Sequence, residues 1–202
     1  SLHVLVTSQE PLRIAGEQVV RVGALSLPSL GCTLDEAMRH GALQLLVQRA
    51  RQADRRFTLT PEMLDAAVAL VRRLDGIPLA IGMAAAWLPA LGLQALNQRL
   101  AERLDWLRNP ERDAPPRQAT LRAALDWSHG LLDAASRAGL RRLAVFAGSF
   151  DLERALAVAQ VDALDADSAL DALSELVRKS LLGLDTLKPP RYRLLESTRL
   201  YA

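Results

Sequence analysis

Leu181-Leu182-Gly183-Leu184 and Tyr192-Arg193-Leu194-Leu195, joined by Asp185-Thr186-Leu187-Lys188-Pro189-Pro190, are the stretch on which the fold turns. Two short apolar-rich runs on either side of a proline-bearing loop predict a β-hairpin. Just upstream, Leu152 to Ala159 and Ser168 to Lys179 read as helices separated by a short polar connection. Before them, a helix with Leu140, Leu143 and Val145 gives way to Phe146-Ala147-Gly148-Ser149-Phe150, and another carries Leu121, Ala124, Leu125, Trp127, Leu131 and Leu132. Helices followed by a terminal hairpin are in the order of a winged helix. A last helix starts near Glu196.

Further upstream, Asn109-Pro110-Glu111-Arg112-Asp113-Ala114-Pro115-Pro116-Arg117 is polar and proline-rich, which predicts a linker. Residues 33–104 before it read as four helices. Thr33 with Glu36 forms a capping box ahead of Ala37, Leu43, Leu46, Val47 and Ala50, a helix ending near Ala53. Thr60-Pro61-Glu62 starts a second, with Leu64, Ala67, Val68, Val71 and Leu74 on one stripe until Gly76 stops it. Pro78 starts a third through Trp87, and Leu93, Leu96, Leu100 and Leu104 mark a fourth after Gly92. At the N-terminal end, Leu2 to Thr7 reads as a buried strand of a parallel sheet and Gln18 to Leu25 as a second extended segment. Two strands make no stable sheet alone, so sheet partners are expected from a part of the protein upstream.

Of the 202 residues, 50% are hydrophobic, 24% charged and 4% aromatic, which excludes long disorder, collagen and a disulfide scaffold. Net charge is only +2, and the cations are arginines except for Lys179 and Lys188. Charge alone therefore makes no case for nucleic acid. One cysteine, Cys32, cannot form an internal disulfide, and with three scattered histidines it cannot build an ordinary structural zinc site. A reducing, cytoplasmic setting is expected, without a signal peptide or membrane span; the apolar run Ile77 to Leu93 reads as a buried helix.

No catalytic constellation emerges. A P-loop needs glycines and a lysine that reaches the terminal phosphates, and Leu173 stands where Lys179-Ser180 would need the first glycine. Asp126, Ser128 and His129 have the residue types of a hydrolytic triad, but neighbours on one helix point in different directions. The third helix of the winged helix carries Asp165, Asp167, Asp171 and Glu175 against Arg178 and Lys179, which opposes phosphate contact.

Four ordered landmarks carry a resemblance. These are Val4-Leu5-Val6-Thr7-Ser8-Gln9-Glu10-Pro11-Leu12, Arg72 to Ile81 with Asp75-Gly76-Ile77-Pro78-Leu79 at its centre, Ala114 to Ser128, and Tyr192 to Ala202. Together they closely resemble the NB-ARC-like module of bacterial STAND-class ATPases, many of them large transcriptional regulators. The resemblance implies a mainly α chain: residues 1–28 as the end of a P-loop α/β domain with its sensor strand, 29–108 as a four-helix lid, and 109–202 as a winged-helix domain. It implies ATP or ADP in the intact protein, bound by a P-loop domain in cis, and none bound by this chain alone.

Gly76-Ile77-Pro78-Leu79 matches the family's GLPL motif, which makes Pro78 the expected nucleotide contact, with Gly76 and Leu79 beside it. Gln9 stands where the family has a phosphate-reading arginine, and Leu194-Leu195-Glu196 stands in place of a Met-His-Asp motif. The chain is thus expected to be a non-enzymatic regulatory part of a nucleotide-dependent switch, in which lid and winged helix close over ADP or ATP bound by the P-loop domain. Self-association of the intact protein and DNA contact through another domain would accompany that role. The alternative is a winged helix that binds promoters directly through Arg178, Lys179, Lys188, Arg191 and Arg193.

Overall fold

The computed structural model describes residues 4–8, 12–20, 22–102, 107, 119–159, 165–185 and 189–202. Among these the chain forms nine helices and one two-stranded sheet. They fall into two compact units, one of residues 23–127 with Tyr201, the other of 128–200 with Ala202 and the N-terminal stretch up to residue 22.

In the first unit, α1 (Leu34–Ala37) begins at the capping box: the Thr33 N–H donates to the Glu36 carboxylate at 2.9 Å, and Thr33 Oγ1 accepts from the Glu36 N–H at 3.4 Å. The single helix expected up to Ala53 is instead broken at Met38–His40, and α2 (Gly41–Ala53) starts afresh. His40 is extended and supplies no side-chain cap. The cap comes from Ser26, whose Oγ accepts from the Gly41 N–H at 3.1 Å and whose carbonyl accepts from the Ala42 N–H at 3.2 Å. A cap supplied from outside the helix satisfies the amides that the break exposes.

α3 (Pro61–Arg73) follows Thr60 with proline in its first turn. α4 (Pro78–Glu102) is one long run kinked at Gly92, where φ is 71°. The expected division at Gly92 is present, while the first segment continues past Trp87 and through Pro89. Residues 78–100 are long and apolar enough, by length and composition, to cross a membrane, but Ala80, Ile81, Met83, Ala84, Leu96 and Leu100 are buried. They pack with Leu43 and Leu46 of α2 and Leu70 and Val71 of α3 into one core.

Between α3 and α4, Asp75 and Gly76 both adopt positive φ, 53° and 66°. The Gly76 N–H donates to Val71 O at 3.0 Å, closing the helix, while Gly76 O accepts from the Leu25 N–H at 3.0 Å. A Cβ on Gly76 would lie 2.4 Å from the Leu25 carbonyl oxygen. Arg72 donates to Pro28 O at 2.9 Å, so residues 25–28 form a strap fixed to the start of α2, the end of α3 and the turn.

The N-terminal strands expected at Leu2–Thr7 and Gln18–Leu25 are not present in the described residues. Val4, Leu5 and Val6 are 73%, 97% and 54% exposed. A lone extended segment has no ladder to join and no surface to bury against.

In the second unit, which takes in the end of α5 (Leu121–Gly130), α6 (Ala134–Leu143) is capped by Asp133, α7 (Leu152–Ala159) follows, and α8 (Ala166–Arg178) is capped by Asp165. β1 (Gly183–Asp185) pairs antiparallel with β2 (Arg191–Arg193), placing Leu184 opposite Tyr192, and α9 (Glu196–Tyr201) follows. Phe150 adds a bridge on the far side of β2, exchanging backbone hydrogen bonds of 2.9 and 2.7 Å with Tyr192. Its ring is buried and stacks on Phe146 at 4.2 Å. The hairpin starts later than expected because Leu181 and Leu182 close α8, both donating to Leu176 O.

Replacing Gly76 by alanine should lower the unfolding free energy of the 23–127 unit by about 2–4 kcal/mol, from positive-φ strain plus the clash with Leu25. A urea midpoint unchanged from wild type would show that the turn tolerates a side chain.

Candidate functional site

Two surfaces, one in each unit, have the ingredients of a site. The first is the Gly76–Leu79 turn. Pro78 is exposed at the first position of α4, Ile77 and Leu79 are half-buried, and Ala80 and Ile81 are in the core. The first α4 amide that reaches back four residues is Ile81, donating to Ile77 O at 3.0 Å. Leu79 and Ala80 therefore carry first-turn amides that have no intrahelical acceptor, beside a proline face open to solvent.

Of the residues expected to meet a nucleotide, Gly76, Pro78 and Leu79 come together here, whereas Gln9 lies outside the described residues. Pattern reading missed the pins that hold the turn, Ser26 and Arg72. Their partners are 15 and 44 residues away, so no local spacing signals them. Arg73 Nε, buried next to this turn in sequence, has no hydrogen-bond partner among the described residues.

The second surface is the α6–α8 face. α8 buries Ala169, Ala172, Leu173 and Leu176, which leaves Asp167, Leu170, Asp171, Ser174 and Arg178 exposed. A groove of about 560 Å³ runs along it, lined by Asp133, Ser168, Asp171, Ser174, Glu175 and Arg178 among others. Asp133 and Asp165 accept backbone N–H bonds from Ser136 and Ser168, each at 2.7 Å. Those bonds hold both carboxyls below the usual aspartate range, so both stay charged.

The cations expected to meet DNA are not assembled on this face. Arg178 pairs with Glu175; Lys179 is buried, with its Nζ 3.7 Å from the same carboxylate. Arg191 donates to Ser149 Oγ and Ser149 O, both at 3.0 Å, tying β2 to the segment before Phe150. Arg193 is exposed, and Lys188 lies outside the described residues.

Elsewhere, Cys32 is a half-buried free thiol. Among the described residues no group of three or more His, Cys, Asp and Glu side chains is arranged to hold a metal ion.

The element order α6, Phe150, α7, α8, β1, β2 is that of a winged helix. Residues 132–202 match the family model of a winged helix-turn-helix domain. Over its full length the chain is 42% identical to a protein named "Putative HTH-type transcriptional regulator" from Mycobacterium tuberculosis, and equally to one of the same name from Mycobacterium bovis, covering 22% of each. It is 36% identical to an "Uncharacterized protein" of Mycobacterium tuberculosis, covering 49% of it. The chain thus spans between a fifth and a half of the length of these relatives.

The winged helix should show an acid limb set by its caps. Carboxyls with lowered folded pKa values stabilise the fold above their unfolded pKa of about 3.9, and that contribution is lost as pH falls through the folded values. Asp133→Asn with Asp165→Asn keeps a capping side chain but removes the titration. Thermal melts of the double variant should therefore fall less steeply than wild type below about pH 4; identical acid limbs would mean the caps do not set it.

Proposed function

We propose that this chain is the regulatory part of a STAND-class transcriptional regulator. In this reading the helical unit is a lid over ADP or ATP held by a P-loop domain outside the chain. The winged helix is a module that docks within the protein, rather than the reader of a promoter. The observation that carries the reading is the Gly76–Leu79 turn: a strap, a left-handed glycine and two helix ends hold an exposed proline beside the first-turn amides of α4, in a motif resembling GLPL. Such a turn offers a flat apolar face to a base, and it is fixed before any ligand arrives.

The outward acids of α8 support the second half of the reading. A helix that enters the major groove meets phosphates on both sides, and Asp167 and Asp171 would be repelled there. Exchange of ADP for ATP would act by differential contact with the lid, shifting a closed population towards an open one. The P-loop and magnesium-binding acid would lie in the other domain, so this chain by itself hydrolyses nothing.

A second reading, favoured by the family match and by the names of the mycobacterial relatives, is that the winged helix binds promoter DNA directly. Here Arg193 and the wing would make the contact, since the two cations at the end of α8 are engaged by Glu175.

Titration calorimetry separates the two. ADP should bind a longer form of the protein that includes the expected P-loop domain and not the 202-residue chain. Pro78→Ala should weaken that binding about tenfold, the loss of one good apolar contact. If neither form binds nucleotide while the chain binds duplex DNA and loses it with Arg193→Gln, the second reading is correct.

A further inference from the structure

We propose that the C-terminal end of α2 and the turn after it, carrying Arg49, Arg51, Arg55 and Arg56, form a contact surface for the phosphate backbone of duplex DNA. This rests on the reading of the intact protein as a transcriptional regulator and is independent of whether nucleotide binds.

α2 turns Ala42, Leu43, Leu46, Val47 and Ala50 into the core and leaves Gln48, Arg49, Arg51 and Gln52 exposed. From Gly41 to Ala53 the helix holds no carboxylate at all. One arginine in its last turn would satisfy the helix dipole. Instead, residues 49–56 carry four arginines against one acid, Asp54, a local surplus larger than the net charge of +2 on the whole chain. By contrast, residues 132–202 balance ten Lys and Arg with ten Asp and Glu. The excess positive charge therefore belongs to the residues before 132 and not to the domain type that would ordinarily be asked to bind DNA.

The local geometry leaves most of that charge available. Asp54 is engaged by Arg56 through Nε at 3.2 Å, Nη2 at 3.3 Å and the backbone N–H at 3.0 Å. That clasp fixes the turn on which Arg55 stands. Arg49 donates to Gln52 Oε1 at 3.1 Å, a neutral partner that orients the guanidinium without cancelling its charge. Arg51 and Arg55 make no ion pair among the described residues, and both are exposed.

The surroundings favour phosphates over an acidic protein. No large apolar side chain is exposed between residues 41 and 56, whereas protein interfaces are built around a buried apolar centre. Backbone contacts to nucleic acid need none: they use guanidinium groups and amide donors such as Gln48 and Gln52. The surface carries no sequence information, so it would add affinity and hold position while specificity came from elsewhere.

The test is fluorescence anisotropy of the full chain with a labelled random duplex across a salt series. Three neutralised phosphates give a log–log slope of about −2.7, so binding should weaken roughly 40-fold between about 50 and 200 mM salt. The triple variant Arg49→Gln, Arg51→Gln, Arg55→Gln, which keeps good helix formers, should bind weakly with a salt effect of only a few-fold. Arg→Lys at the same three positions should restore the slope, and Arg193→Gln should leave it unchanged. The proposal is overturned if the triple variant keeps wild-type affinity and slope, if Arg193→Gln abolishes the binding, or if poly-glutamate is bound and duplex DNA is not. A chain that fails here and yet binds ADP in its longer form would leave the switch reading intact.

Discussion

The backbone hydrogen bond from Leu25 to Gly76, made possible by a glycine at φ 66°, is the constraint on which the helical unit depends. It draws residues 25–28 against the α3–α4 turn closely enough that no Cβ fits. From that strap Ser26 caps α2 and Pro28 receives Arg72, so one extended segment sets where three helices begin or end. Helix ends satisfied this way are expensive to move, because each loosened contact would leave a backbone group without a partner. The exposed Pro78, the first residue of α4, is thus held on a rigid base.

The winged helix shows how far a fold and its usual use can part. Its described elements follow in winged-helix order, with Phe150 pairing to the wing hairpin, and its third helix is capped by Asp165. Yet that helix turns acids outward, and its two terminal cations are engaged by Glu175. Shape follows from apolar spacing and caps, whereas phosphate binding follows from charge at the exposed positions, and the two are set by different residues. Arg49, Arg51 and Arg55, which have no carboxylate partner among the described residues, lie instead on α2 and the turn after it, in the other unit.

Much of this was legible in sequence. The 152–159 helix, the capping box at Thr33 and Glu36, the stop at Gly76, the kink at Gly92 and the terminal hairpin are local signals, readable from residues a few positions apart. What escaped was set at a distance. The break at Met38–His40 is compensated by Ser26, and Arg191 serves Ser149 rather than solvent. The N-terminal valines have strand composition, but a strand exists only where a neighbour pairs with it. For the candidate site, the Gly-Ile-Pro-Leu run could be read as a turn from glycine and proline chemistry. The residues that hold it could not, since their partners are remote in the chain.

Hydrogen–deuterium exchange on the longer protein, with and without ADP, tests the central claim most directly. If the turn at the head of α4 is where the lid meets the nucleotide, peptides covering residues 76–81 should gain protection on ADP binding while those covering α8 should not. Protection absent from residues 76–81, with ADP demonstrably bound, would contradict it.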